Sequence, residues 1–168
     1  MQLTCFLNLE GVVHPVATEY RTSPPLPHTS RPFLWADALR EVSERLDIHY
    51  VLRTSVLLHV PMPSLVELAP AWLRARLVGT TAHCLRYVRF GEAPRRVASR
   101  RAVIRRYVDE HRLKHWVALD DNADGWLAAD PELPRLVLCD AKLGVSDSAA
   151  ITELHRALQW SQEAAAGK

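Results

Sequence analysis

The chain has 168 residues, of which 48% are hydrophobic and 24% charged, enough for one domain with a substantial buried core. A formal net charge of +2 is too small to imply a nucleic-acid partner, and no specific nucleic-acid signal accompanies it. No apolar run approaches a membrane span, and no basic segment followed by a long apolar core opens the chain. Neither an anchor nor a signal peptide is therefore expected, and no membrane partner.

Three cysteines, Cys5, Cys84 and Cys139, form no CxxC pair. They read as buried thiols in a reducing cytoplasm. Basic residues are almost all arginine, with lysine only at Lys114, Lys142 and Lys168. Either phosphate recognition or a GC-rich genome produces that bias, and the genome is the simpler source.

Taken in order, residues 2–8 read as a central strand, a short apolar run ended by a turn signal. Residues 14–32 carry five prolines and little periodicity, a loop that serves either as a flap over a pocket or as a plain surface connection. Helical spacing of Phe33, Leu34, Ala38, Val42 and Leu46 predicts a helix over 33–46. A second strand covers 48–54, a proline-punctuated helical region 63–76, and a short third strand 77–81. Residues 87–90 alternate and suggest an edge strand or hairpin arm. A helix over 99–112 follows, with Ser99 as N-cap. Strands over 115–119 and 135–139 flank a short helix at 123–129, and a last helix covers 147–163, with a frayed tail over 164–168. Continuous apolar strands alternating with helices predict one α/β domain over 1–163, a Rossmann-like three-layer sandwich around a mostly parallel five-stranded sheet.

Polar residues gather at the strand ends, where ligands bind in open α/β sheets. The first strand runs into Asn8-Leu9-Glu10-Gly11-Val12-Val13-His14-Pro15, and residues two apart in a strand point the same way. The second ends in Thr54-Ser55. The helix at 99–112 opens with Arg100-Arg101, and Trp116-Val117-Ala118-Leu119 runs into Asp120-Asp121-Asn122-Ala123-Asp124. Each piece has a plainer use: a strand-ending hydroxyl that caps a turn, a solvated helix face, a helix N-cap.

In this order and spacing the four pieces resemble the motifs of the haloacid dehalogenase (HAD) superfamily, over about residues 3–160. The first resembles its D-x-D-G-x-hydrophobic motif, with both aspartates replaced, by Asn8 and Glu10. The resemblance implies the strand order of that fold, with strand 1 between strands 2 and 4. It also implies a phosphate held by Thr54 (or Ser55, because a one-residue slip reverses which one faces the site), a cation from Arg100 or Arg101, and Mg²⁺ at Asp120 and Asp121.

An amide at position 8 cannot serve as the carboxylate nucleophile. Glu10 keeps the acid of the second position, one methylene further out. Loss of a catalytic nucleophile costs on the order of a million-fold in other enzymes. Two readings follow: a catalytically impaired protein that binds a phosphorylated small molecule or phosphate group, with Mg²⁺ weakened by the missing aspartate, or a Mg²⁺-dependent phosphohydrolase with altered machinery built on Glu10. A third is an interaction module with a relict pocket. The eight histidines show no HExxH and no Cys-His zinc spacing, and neither GxxxxGK[ST], GxGxxG nor GxSxG occurs.

Overall fold

Side-chain parity along three strands decides what the sheet can hold. In the computed structural model, which describes residues 3–15, 32–58, 60–84 and 98–166, five strands form an all-parallel sheet. They are β1 (Leu3–Leu7), β2 (Ile48–Leu52), β3 (Leu77–Thr80), β4 (Trp116–Asp120) and β5 (Leu136–Leu138), ordered β3-β2-β1-β4-β5. Strand 1 sits between strands 2 and 4, and the architecture is the expected α/β sandwich. Residues 16–31 of the proline-rich loop and the alternating stretch at 87–90 lie outside the described residues.

Leu3, Cys5 and Leu7 of β1 face one way, with Ile48, Tyr50, Leu52, Val117, Leu119 and Val137. That face is covered by Leu39, by Val42 of α1 (Arg40–Leu46) and by Leu65 of α2 (Met62–Leu68). Leu73 of α3 (Ala71–Arg74) and Ala150, Leu154, Ala157 and Leu158 of α5 (Ser148–Ala166) complete the cover. Phe6, Val51, Trp116 and Ala118 face the other way and meet Val103, Ile104, Tyr107 and Val108 of α4 (Arg100–His111). Phe6 packs edge-on against both Tyr107 and Trp116, with centroids 5.5 and 5.8 Å apart, a geometry aromatic quadrupoles favour.

Several boundaries differ from expectation for local reasons. The helix predicted from residue 33 starts as a 3-10 turn at Ala36–Leu39, because Phe33 takes a left-handed φ of 60°. Pro70 splits the 63–76 region into α2 and α3, standing at the N-cap of the second. Residues 123–129 form turns rather than a helix, broken where Gly125 adopts φ +80°. Residue 135 belongs to a 3-10 turn, Leu133–Arg135, ahead of β5, and α5 continues through Ala166 into the stretch expected to fray. All three cysteines are free and buried. Among the described residues no helix is long and apolar enough to cross a membrane.

Candidate functional site

The parity that packs Phe6, Val51 and Ala118 against α4 carries one step further along each strand, to Asn8, Arg53 and Asp120. All three are buried and stand at the carboxyl ends of the three central strands, on the side of the sheet that α4 covers. The start of α4 is tied to the loop after β4: Asp124 Oδ2 accepts from the Arg100 backbone N–H at 3.1 Å, and the Asp124 carbonyl accepts from that of Arg101 at 3.2 Å. Ser99 caps the helix, its Oγ accepting from the Ala102 N–H at 3.2 Å, as its sequence position predicts.

Arg100 thereby reaches the acids. Its Nη1 donates to Asp120 Oδ1 and, at 2.8 Å, to Asp121 Oδ1, while Arg53 Nη2 pairs with Asp120 Oδ2 at 2.9 Å. Arg101, the alternative in the sequence, turns to the far side, where it pairs with Asp130 at 2.8 Å and with Glu132 and lies over the Trp126 ring. Arg105 and Arg106 are likewise paired, with Asp109, Glu132 and Glu110. Only Arg100 of this arginine-rich helix face enters the site.

Asn8 is 4% exposed, and its Nδ2 donates to the Glu10 carbonyl at 2.8 Å and to Asp121 Oδ1 at 2.9 Å. Asp120 Oδ1 lies within reach of the same nitrogen at 3.4 Å. Three oxygens thus converge on one amide nitrogen, which is where an aspartate of the superfamily motif would place a like charge. The chain can turn this tightly because Gly11 takes φ +69°, and a Cβ there would lie 2.7 Å from the Asp121 side chain. The Gly11 N–H donates to the His14 carbonyl at 2.7 Å, closing the loop.

The two hydroxyls of the second motif part company. Thr54 is buried, and its Oγ1 accepts from the Val56 N–H at 3.2 Å, the turn-capping use, which leaves its hydroxyl proton to donate. Ser55 is exposed and its Oγ donates to Glu10 Oε2 at 3.5 Å, so Ser55 and Glu10 form the outer rim. Arg53 is the site residue the sequence reading passed over. Its signal was a charge ending a buried strand, one residue before the hydroxyl pair.

Burial pushes the Asp120 carboxyl up to about 6, against the pull of Arg53 and Arg100. Asp121 is also penalised by burial, but its hydrogen bond from Arg100, with Asp120 and the Arg100 charge adding to it, holds the carboxyl below its ordinary value. Burial lowers the affinity of Arg53 for its proton, with Asp120 opposing; a guanidinium still stays charged throughout the working range.

Mg²⁺ prefers oxygen donors and commonly uses only one or two protein carboxylates. The donor set here suits it in chemistry: Asp120 Oδ1, Asp121 Oδ1 and the Glu10 carbonyl already converge. Rotating the Asn8 amide by half a turn adds a fourth oxygen. Among the described residues, the acids Glu10, Asp120, Asp121 and Asp124 outnumber the guanidiniums of Arg53 and Arg100 around them, an imbalance a divalent cation would relieve.

A parallel sheet ordered β3-β2-β1-β4-β5, with its polar cluster at the ends of β1, β2 and β4, defines an α/β domain of the HAD class. Residues 4–150 match the model of the HAD domain in Swiss Army Knife RNA repair proteins, and the chain belongs to that family. The superfamily generally uses Mg²⁺. No curated protein and no solved structure gives a match.

Proposed function

We propose that this HAD domain binds a phosphate-bearing ligand at the β1-β2-β4 edge and does not hydrolyse it. The observation that carries the proposal is Asn8. It stands where the resembled motif carries its first aspartate, and its nitrogen is committed to the Glu10 carbonyl and Asp121. An amide has no full charge on oxygen and no free lone pair on nitrogen, so no acyl-phosphate can form there.

What remains is suited to binding. Arg100 spends only Nη1 on the acids among the described residues, and its side chain keeps 27% exposure, so its other N–H groups can meet a phosphate. The Thr54 hydroxyl proton, which meets no acceptor among the described residues, supplies a neutral donor, and Ser55 supplies a second once it releases Glu10. Mg²⁺ would be held by Asp120, Asp121, the Asn8 amide oxygen and the Glu10 carbonyl once Arg100 Nη1, which donates to the same Asp120 and Asp121 oxygens, turns outward. When bound it would offset the carboxylate charge that otherwise repels a phosphate.

The family's setting among RNA repair proteins makes a phosphate on an RNA end the form of ligand to test first. Isothermal titration of short oligoribonucleotides, with and without a terminal phosphate and in Mg²⁺, tests this. The phosphorylated form should bind at least about tenfold tighter, the worth of one charge-assisted contact. Equal affinity for both forms would reject a phosphate site. The competing reading, hydrolysis built on Glu10, has its support in the Ser55 bond that places this carboxylate at the rim. It predicts Mg²⁺-dependent turnover that Glu10→Gln abolishes.

A further inference from the structure

At the far end of α4 from Arg100, three potential metal ligands of different kinds meet. His83 and Cys84 lie in a 3-10 turn, Ala82–Cys84, just after β3, and Glu110 comes from the last turn of α4. Both neighbours point at the same carboxylate oxygen: His83 Nε2 is 3.1 Å from Glu110 Oε2 and Cys84 Sγ is 3.8 Å from it. The three ligand atoms all lie within 4.8 Å of one another. In a tetrahedral zinc site with Zn–N and Zn–O near ~2.1 Å and Zn–S near ~2.3 Å, ligand atoms sit roughly 3.3–3.6 Å apart. The two distances to Glu110 Oε2 are therefore close to those of a formed site, and the third separation needs at most about 1.2 Å of contraction.

The other Glu110 oxygen is engaged by Arg106 Nε at 2.8 Å, which orients the carboxylate. A further donor stands outside that cluster. The His111 ring lies 6.2 Å from that of His83, between centroids, and its Nδ1 contacts the Tyr107 carbonyl at 3.0 Å. A carbonyl only accepts, so Nδ1 carries the proton and Nε2 keeps the lone pair a metal needs.

We propose that His83, Cys84 and Glu110 bind a Zn²⁺ ion, with water or His111 in the fourth position, and that the ion pins the turn after β3 to α4. A mixed nitrogen, sulfur and oxygen set suits zinc rather than the hard cation fitted to the Asp120 cluster. On binding, the Cys84 S–H bond breaks, its proton passes to solvent, and a Zn–S bond forms. Without the ion, burial and then the Glu110 carboxylate favour the thiol over the thiolate. Glu110 lies ten residues along the helix from Arg100, roughly 15 Å at 1.5 Å per residue, so this site is separate from the phosphate site. The sequence gives no zinc spacing because Glu110 stands 26 residues beyond Cys84 and on another element.

Cobalt(II) titration of the reduced, metal-free full chain tests the proposal, because Co²⁺ reports its ligands by absorption. One equivalent should produce a thiolate-to-metal charge-transfer band and the intense visible bands of four-coordinate cobalt, both removed by added Zn²⁺. Cys84→Ser should abolish the charge-transfer band. Glu110→Gln should weaken Co²⁺ binding by at least about tenfold with an unchanged circular-dichroism spectrum, and it decides the matter if the cysteine variant does not fold. A wild-type spectrum without the sulfur band, including the weak spectrum of oxygen-only binding at Asp120 and Asp121, would overturn the proposal. So would a band that survives Cys84→Ser, or an affinity indifferent to Glu110→Gln.

Discussion

At the scale of single residues, Asn8 is a hydrogen-bond donor in a nest of acceptors. It spans the Glu10 carbonyl and Asp121, and so does in neutral form what a metal would do for an aspartate at the same place. Asn8→Asp should therefore behave oppositely with and without metal. In a chelator, the variant places a third carboxylate against two others and loses the donor, which should cost about 1–3 kcal/mol of stability. Mg²⁺ should restore the loss. Thermal unfolding with EDTA and with Mg²⁺ measures both, and a variant as stable as the native chain in EDTA would contradict this account of Asn8. Its position was legible from the strand-glycine pattern, whereas its partners were not, since Asp121 lies 113 residues away.

At the scale of the element, α4 delivers one arginine to the site and keeps the others occupied. The sequence offered Arg100 and Arg101 as equals. Helical geometry separates neighbours by roughly 100°, and the acids at 130 and 132 that claim Arg101 follow β4 in a loop whose shape no periodicity announces. The same loop anchors the helix start through Asp124, with Ser99 as its cap. Ser99→Ala should cost about 1 kcal/mol, read by urea denaturation. It should also weaken phosphate binding, because Arg100 is the first residue of the helix that cap fixes. Lost stability with unchanged phosphate affinity would show that Asp120, Asp121 and Asp124 hold Arg100 without the cap.

For the whole molecule, most of the fold was readable because buried parallel strands announce themselves as apolar runs. The short helix expected at 123–129 failed for a reason equally physical: Gly125 and the turn around Trp126, whose N–H donates to the Ala123 carbonyl at 2.9 Å, break the helical repeat. Arg53 was missed because a charge at a strand end reads as solvent-facing until α4 and Asp120 are placed over it. Phe6 lies at the centre of the α4 face, packed on Tyr107 and Trp116, in line with Asn8 two residues on. Phe6→Ala should cost about 3–5 kcal/mol by chemical denaturation. A loss under 1 kcal/mol would mean that α4 is not held by this aromatic packing.

The most direct test of a disarmed site is hydrolysis of a chromogenic phosphate ester in Mg²⁺, comparing the native protein with the Asn8→Asp/Glu10→Asp double variant. The native chain should show no turnover, and turnover should become measurable once both carboxylates are in place around Arg100, Asp120 and Asp121. Native turnover that is lost in Glu10→Gln would contradict a disarmed site, and would make Glu10 the group that performs the chemistry.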